Sequence, residues 1–266
     1  MSDYELQYNY NFSSCENFSL HTHSSYEILY FLQGDTNYVV EGAVYPLEPY
    51  DIIIVSPGEM HRAYHNSNAL YERIVLNVDY DFFKKMNCLE YLKLFDERNF
   101  GTNNKLDAST VKKSGIPQCY ERLREYTHNF TVTSSPVISG VLTELIYLLN
   151  NTSLSGPPAT TRVQQVISYI NENFSEDLTL SELSDLFYVS KSYLARDFKS
   201  ATGHTVNNYI KSKRLQEVIK EIKMGENIGK AALNAGFNDY TSFYRTFIKE
   251  FDCTPKEYMK KFRGVK

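Results

Sequence analysis

No apolar run in this sequence approaches the roughly 18 uninterrupted residues that a membrane-spanning helix needs. Ile52 to Val55 is typical of the runs it has. The first residues, Met1-Ser-Asp-Tyr-Glu5, also lack the basic start and apolar segment of a secretory leader. No membrane association is therefore expected, and the protein is expected to be cytoplasmic. Cysteine is scarce and unpaired. Cys15, Cys88, Cys119 and Cys253 stand singly, without the close spacing of zinc knuckles or redox motifs.

A positive surplus is missing from the chain as a whole, which carries a formal net charge of −4. Spread evenly, that balance would argue against nucleic acid. It is not spread evenly. From Arg162 to Lys266 there are 17 Lys and Arg against 13 Asp and Glu, net +4, which leaves 11 basic and 19 acidic residues, net −8, in the remainder. With 266 residues the chain can hold two cores. A basic half tethered to an acidic half is the pattern of a nucleic-acid reader attached to something else.

The first hundred residues read as strands. Tyr26 to Phe31, Asn37 to Val40, Asp51 to Ser56 and Tyr71 to Val78 are rich in Tyr, Ile, Val and Phe, and are punctuated by Gly34, Gly42 and Pro57-Gly58. In the last, Ile74, Leu76 and Val78 alternate with Arg73, Val75 and Asn77, which predicts one buried face. Between about 115 and 150 the period becomes helical. Ile116, Tyr120 and Leu123 start one stripe, and Ile138, Val141, Leu142, Leu145 and Leu149 continue a second after Pro136. This helical pair is expected to pack on its own domain and to serve homodimerisation. Residues 151–161 carry Gly156-Pro157-Pro158 without apolar periodicity and are expected to link a domain at 1–150 to one at 162–266.

The second domain contains an internal duplication. Leu194-Ala-Arg-Asp-Phe-Lys and Thr205-Val-Asn-Asn-Tyr209 realign with Phe243-Tyr-Arg-Thr-Phe-Ile and Thr254-Pro-Lys-Glu-Tyr258 at a shift of 49. In the first copy, Thr179-Leu-Ser-Glu182 predicts a capping box and a short helix, and Ser190 predicts the start of a second helix. In the second, Asn227 and Asp239 take these capping roles. Each copy therefore predicts a helix-turn-helix, at about 179–200 and 227–250. Leu194 and Phe198, like Phe243 and Phe247, face inward. The residues left outside are Lys191, Ser192, Ala195, Arg196 and Lys199 in one copy, and Tyr240, Thr241, Ser242, Arg245 and Lys249 in the other. Arg196 and Arg245 are the expected base readers, since a guanidinium meets guanine O6 and N7 bidentately. The lysines, with Lys211, Lys213 and Arg214, are the expected phosphate contacts. A helix from Val206 to about Met224 is expected to hold the two readers roughly 34 Å apart, one turn of duplex.

These residues resemble the AraC/XylS family of bacterial transcription regulators. The resemblance rests on Leu183-Ser184, Ser190, Tyr193-Leu194, Arg196, Phe198-Lys199 and Thr202-Gly203, then Gly236-Phe237, Phe243, Arg245, Phe247, Thr254-Pro255 and Tyr258. Ser184 and Ile248 depart from the family's usual alanine and lysine. The resemblance implies a regulator of α+β class, with a cupin-like β-barrel, a helical hairpin and an all-α domain carrying two helix-turn-helix motifs. Its partners would be double-stranded DNA, a small-molecule effector, a second copy and RNA polymerase, and activation would be its usual outcome.

The N-terminal half is similar to the cupin motifs in His21-x-His23-x3-Glu27-x6-Gly34 and in Asp51, Pro57-Gly58-x2-His61, with Tyr50 at a position where glycine is usual. The resemblance implies that His21, His23, Glu27 and His61 face a pocket. With Tyr30 and Tyr38 they are the expected effector-binding set, inside a wall that also includes Tyr26 and Tyr64. No cofactor and no catalysis are expected. The alternative is a divalent metal held by His21, His23, Glu27 and His61, and with it a metal-dependent dioxygenase or isomerase fused to a DNA-binding tail.

Overall fold

The computed structural model describes residues 4–11, 20–129, 136–157, 161–251 and 253–263; Cys15 lies outside them. The chain forms two compact units, Met1–Gln164 and Gln165–Lys266.

Among the described residues, eight strands build the first unit. β1 (Tyr4–Asn11), β2 (Tyr26–Gln33), β5 (Ile52–Val55), β7 (Tyr71–Val78) and β8 (Lys105–Leu106) pair antiparallel in the order β1-β7-β2-β5-β8. β3 (Thr36–Val40), β4 (Ala43–Pro46) and β6 (His61–His65) form a second antiparallel sheet in the order β4-β3-β6. The resemblance implied a barrel; among the described residues the structure has two facing sheets without ring closure. Strand alternation decides what each face meets. Leu29 and Phe31 of β2, Ile53 and Val55 of β5, and Tyr71 and Val75 of β7 pack with Tyr38, Val40 and Tyr45 of the opposite sheet.

The other face of the larger sheet is equally apolar. Tyr26, Ile28 and Tyr30, with Ile74, Leu76 and Val78, pack under a helical pair, α4 (Ile116–Asn129) and α5 (Pro136–Asn150). Three short helices precede that pair, α1 (Tyr80–Lys85), α2 (Lys93–Asp96) and α3 (Ala108–Val111). Phe83 and Phe95 from this segment pack against Tyr26, edge-to-face at 5.3 Å and tilted at 4.8 Å between ring centres. β7 is thus buried on both faces, not one: Val75 is as enclosed as Ile74. Each such fully buried aliphatic side chain contributes about 1.5–3 kcal/mol.

A buried ionic network ties the loop after α2 to β5 and to the loop that follows it. Glu59 is fully buried and accepts from Arg98, from Ser56 N at 2.7 Å and from Gly101 N at 2.8 Å. Asn104 Nδ2 approaches the same carboxylate at 3.2 Å and donates to Ile54 O at 2.8 Å. Burial alone would raise the Glu59 pKa, but Arg98 outweighs it and holds the carboxyl below its ordinary value. Within the segment expected to be a linker, Ser155 exchanges backbone hydrogen bonds with Lys105 at 2.7 and 3.3 Å.

The second unit is helical: α6 (Arg162–Asn173, beginning just before it), α7 (Leu180–Leu186), α8 (Lys191–Thr202), α9 (Val206–Lys223), α10 (Ile228–Asn234), α11 (Tyr240–Phe251) and α12 (Pro255–Arg263). Thr179 and Glu182 form the reciprocal capping box. Ser190 accepts from Tyr193 N, Asn227 from Gly229 N and Lys230 N, and Asp239 from Ser242 N. Leu194, Phe198, Phe243 and Phe247 are buried. Gly236 stands at φ 88°, and a Cβ there would lie 2.3 Å from Ser175 O, so only glycine fits this turn.

Candidate effector site and nucleic-acid interface

Glu27 points inward from β2 between the two sheets. Its Oε1 accepts from the Tyr38 hydroxyl at 2.7 Å, and its Oε2 lies 3.1 Å from His23 Nε2 and 3.7 Å from His61 Nε2. The second-layer contacts fix both rings. His23 Nδ1 is 3.0 Å from Ser25 O, and His61 Nδ1 is 2.8 Å from Glu59 O, so each Nδ1 donates to a carbonyl. Each Nε2 is thereby directed at Glu27, to which it donates only when the ring carries both protons. At 3.7 Å the His61–Glu27 approach is too long for a hydrogen bond, and His61 Nε2 is buried without another partner.

Electrostatics follow from this enclosure. Burial works against ionised Glu27, yet the hydrogen bond from His23 and the proximity of His61 hold its carboxyl well below the ordinary range. Burial pushes His61 down, and Glu27 reverses that, leaving its pKa raised. Burial and the Glu27 charge together push Tyr38 well above its ordinary value, so it remains a donor.

The expected effector set is only partly assembled. His23, Glu27 and His61 offer three donor atoms within 4.8 Å of one another. His21 is exposed and pairs through its backbone with His61; its ring lies 4.3 Å from that of His61 but it does not join the three converging donors. Tyr30 does not face this space. It lies on the opposite face of β2, stacked on Tyr120 of α4 at 4.4 Å, where burial and Tyr50 push its pKa up to about 12. Tyr26 shares that face, and Tyr64 is exposed on β6. Of the four tyrosines, Tyr38 alone meets Glu27.

Two imidazoles and a carboxylate, held by outer hydrogen bonds, suit a divalent ion chemically. The same three groups suit a polar ligand that places a donor between His61 Nε2 and Glu27.

On the second unit, Lys191, Ser192, Arg196 and Lys199 of α8 are exposed, and Ala195 is half-buried. Tyr240, Thr241, Ser242, Arg245 and Lys249 of α11 are exposed as well. α8 and α11 begin 49 residues apart, as do α9 and α12, whereas α7 and α10 begin 48 apart. The second turn therefore holds one residue more. Tyr188, at φ 54° and 92% exposed, takes the left-handed position that Gly236 takes in the other copy.

Two of the expected phosphate contacts are used internally. Lys213 is buried, its ammonium 5.0 Å from the Tyr209 ring. Arg214 donates to Phe174 O and Glu176 O, each at 2.7 Å, and so braces the end of α6.

Residues 183–261 match the model of a helix-turn-helix domain, and residues 14–86 match that of an AraC-like ligand binding domain. The multiple antibiotic resistance protein MarA of Salmonella typhimurium is 32% identical over 97 residues, covering 36% of this chain and 76% of MarA. The chain belongs to the AraC family of transcription regulators. The transcriptional activator RhaS of Mannheimia succiniciproducens is 24% identical over 244 residues, 91% of this chain and 89% of RhaS. Among solved structures, ToxT from Vibrio cholerae O395 is similar over 99% of both chains, at 13% identity and a TM-score of 0.41.

As an AraC-family regulator, the protein combines a ligand-binding domain with a DNA-binding helix-turn-helix domain. Ser25 and Asn77, which sequence reasoning did not single out, stand beside the His23–Glu27–His61 cluster. Ser25 Oγ donates to Asn77 Oδ1 at 3.3 Å beside His23. Asn77 sits opposite Glu27 in the β2–β7 register, a signal visible only once the strands are paired.

Proposed function

We propose that this protein is an effector-controlled activator that reads two neighbouring major grooves of DNA. The observation carrying the DNA side is the equivalence of Arg196 and Arg245. Both are exposed, on separately capped helices that begin 49 residues apart. Lys191, Ser192, Ala195 and Lys199 would surround the first arginine on the duplex; Tyr240, Thr241, Ser242 and Lys249 would surround the second. Guanidinium contacts select bases, and the lysines anchor phosphates.

The effector is a small polar molecule, a sugar being one such class, held by His23, Glu27, Tyr38 and His61 with His21 at the rim. Supporting this is the buried His61 Nε2, which a ligand donor or a proton can join to Glu27. Homodimerisation through α4 and α5 is supported by the exposure of Val137 and Tyr147 on α5. Occupancy of the sensory site would change how paired copies present their reading helices, and so promoter occupancy and contact with RNA polymerase. A cytoplasmic location accords with this role.

The test is selection of randomised duplex DNA by the full chain. One recurrent motif, lost when Arg196 and Arg245 are both changed to alanine in a protein that still folds, is expected. Recovery of unrelated sequences would contradict the reading.

The convergence of His23, Glu27 and His61 favours a second reading of the sensory site, in which a divalent ion completes it. The ion would balance Glu27 and polarise an oxygen of the effector. Metal analysis of the purified protein separates the two: stoichiometric metal, lost in His61→Ala, supports the ion, and an effector response without metal supports direct binding.

A further inference from the structure

Arg196 and Asp197, neighbours in sequence on α8, are also partners in space. Arg196 Nε lies 3.1 Å from Asp197 Oδ1, and the guanidinium carbon lies 5.6 Å from the centre of the Tyr193 ring, one turn earlier. The Arg196 side chain remains 74% exposed. Asp197 engages Nε and leaves both terminal amino groups, the pair that meets guanine O6 and N7, for another partner.

The second copy lacks this arrangement. At the shift of 49, Arg245 is followed by Thr246, whose hydroxyl donates back to Ser242 O at 2.8 Å. Among the described residues Arg245 forms no ion pair. Among the described residues, one arginine is held by a carboxylate and the other is not.

We propose that Asp197 is a positioning residue that makes the first reading helix more selective and less adhesive than the second. The proposal rests on the DNA-reading role of Arg196 given above. A guanidinium already restrained by a carboxylate and a ring loses less freedom when it meets a base in the right place. In the wrong register, Asp197 brings a negative charge toward phosphate oxygens that Arg196 has not compensated, which penalises the wrong site. α11, with no acid beside its arginine, adapts to more sequences and contributes more general affinity.

The duplex recovered by the full chain from a randomised library supplies the probe, together with single base-pair changes under each helix. Asp197→Asn is expected to tighten binding to unrelated duplex and to lower discrimination at the guanine read by Arg196 by roughly two- to tenfold. Discrimination at the Arg245 position should not move. In an Arg196→Ala background, Asp197→Asn should leave discrimination unchanged. Thr246→Asp is the reciprocal variant, expected to raise discrimination under Arg245 and weaken overall binding; it decides the matter should Asp197→Asn not fold.

An Asp197→Asn effect that is equal with and without Arg196 would make Asp197 a simple negative charge near DNA, overturning the proposal. Unchanged discrimination would overturn it too. A library that yields no motif removes the DNA reading itself, whereas a motif indifferent to Asp197→Asn and Thr246→Asp removes only the positioning role.

Discussion

Tyr38 donates its hydroxyl to Glu27 Oε1 at 2.7 Å, joining β3 to β2 across the space between the two sheets. The bond serves fold and site together, because Glu27 is buried and the hydroxyl satisfies one of its oxygens. Tyr38→Phe removes the donor and keeps the ring. Stability is expected to fall by about 1–3 kcal/mol, the usual consequence of leaving a buried acceptor unmet. Effector affinity should fall as well, since Glu27 is no longer held. Chemical unfolding of the variant against the parent protein checks the first, and ligand titration the second.

The Glu59–Arg98 pair gives the first unit a defined acid sensitivity. Both side chains are buried, and Glu59 has its pKa depressed below the unfolded value near 4.5. A depressed carboxyl contributes stability above the unfolded value and loses it as pH falls through the folded one. Glu59→Gln should therefore destabilise the unit by about 3–5 kcal/mol at pH 7, because Arg98 is left buried without its charge partner. The gap between variant and parent should narrow below about pH 4.5. Urea unfolding at several pH values measures it; a gap independent of pH would contradict the assignment.

The two helix-turn-helix turns are expected to respond oppositely to substitution. Gly236→Ala drives a Cβ into Ser175 and imposes a left-handed backbone on alanine, so a loss above about 1 kcal/mol is expected. Tyr188 holds the corresponding conformation at φ 54° while exposed. Tyr188→Gly should be neutral or stabilising by up to about 1 kcal/mol, the relief being offset in part by the greater freedom of glycine when unfolded. Thermal melts of the two variants make the comparison.

Much of the second unit was legible in the sequence. Leu194 and Phe198 recur as Phe243 and Phe247, and capping residues precede both helices, so period and punctuation agree. Lys213 was misread because a lysine in a helical stripe reads as solvated, while its aliphatic stem lets it pack beside Tyr209. Tyr30 was misread for a related reason. β2 is buried on both faces, so alternation gives no contrast, and the face meeting α4 cannot be told from the face meeting Tyr38. The short helices between residues 80 and 111 carry four to six residues each, too few for a period to declare itself. His23, Glu27 and His61 were found by motif, but the exclusion of His21 from their group depends on where each ring is held.

Arg196→Ala and Arg245→Ala should each leave folding intact, both side chains being exposed. Each should reduce discrimination at one guanine, at different positions of the same duplex, by about tenfold for Arg196 and by less for Arg245. Competition binding with single base-pair variants reads both losses. Loss at one shared position would contradict independent reading by α8 and α11.

Guanine methylation interference on the selected duplex tests the central claim most directly, since methylation at N7 blocks a guanidinium in the major groove. Two sensitive guanine patches about 10 base pairs apart are predicted, one disappearing with Arg196→Ala and the other with Arg245→Ala. A single patch, or two patches indifferent to both substitutions, would contradict a protein that grips successive grooves with equivalent helices.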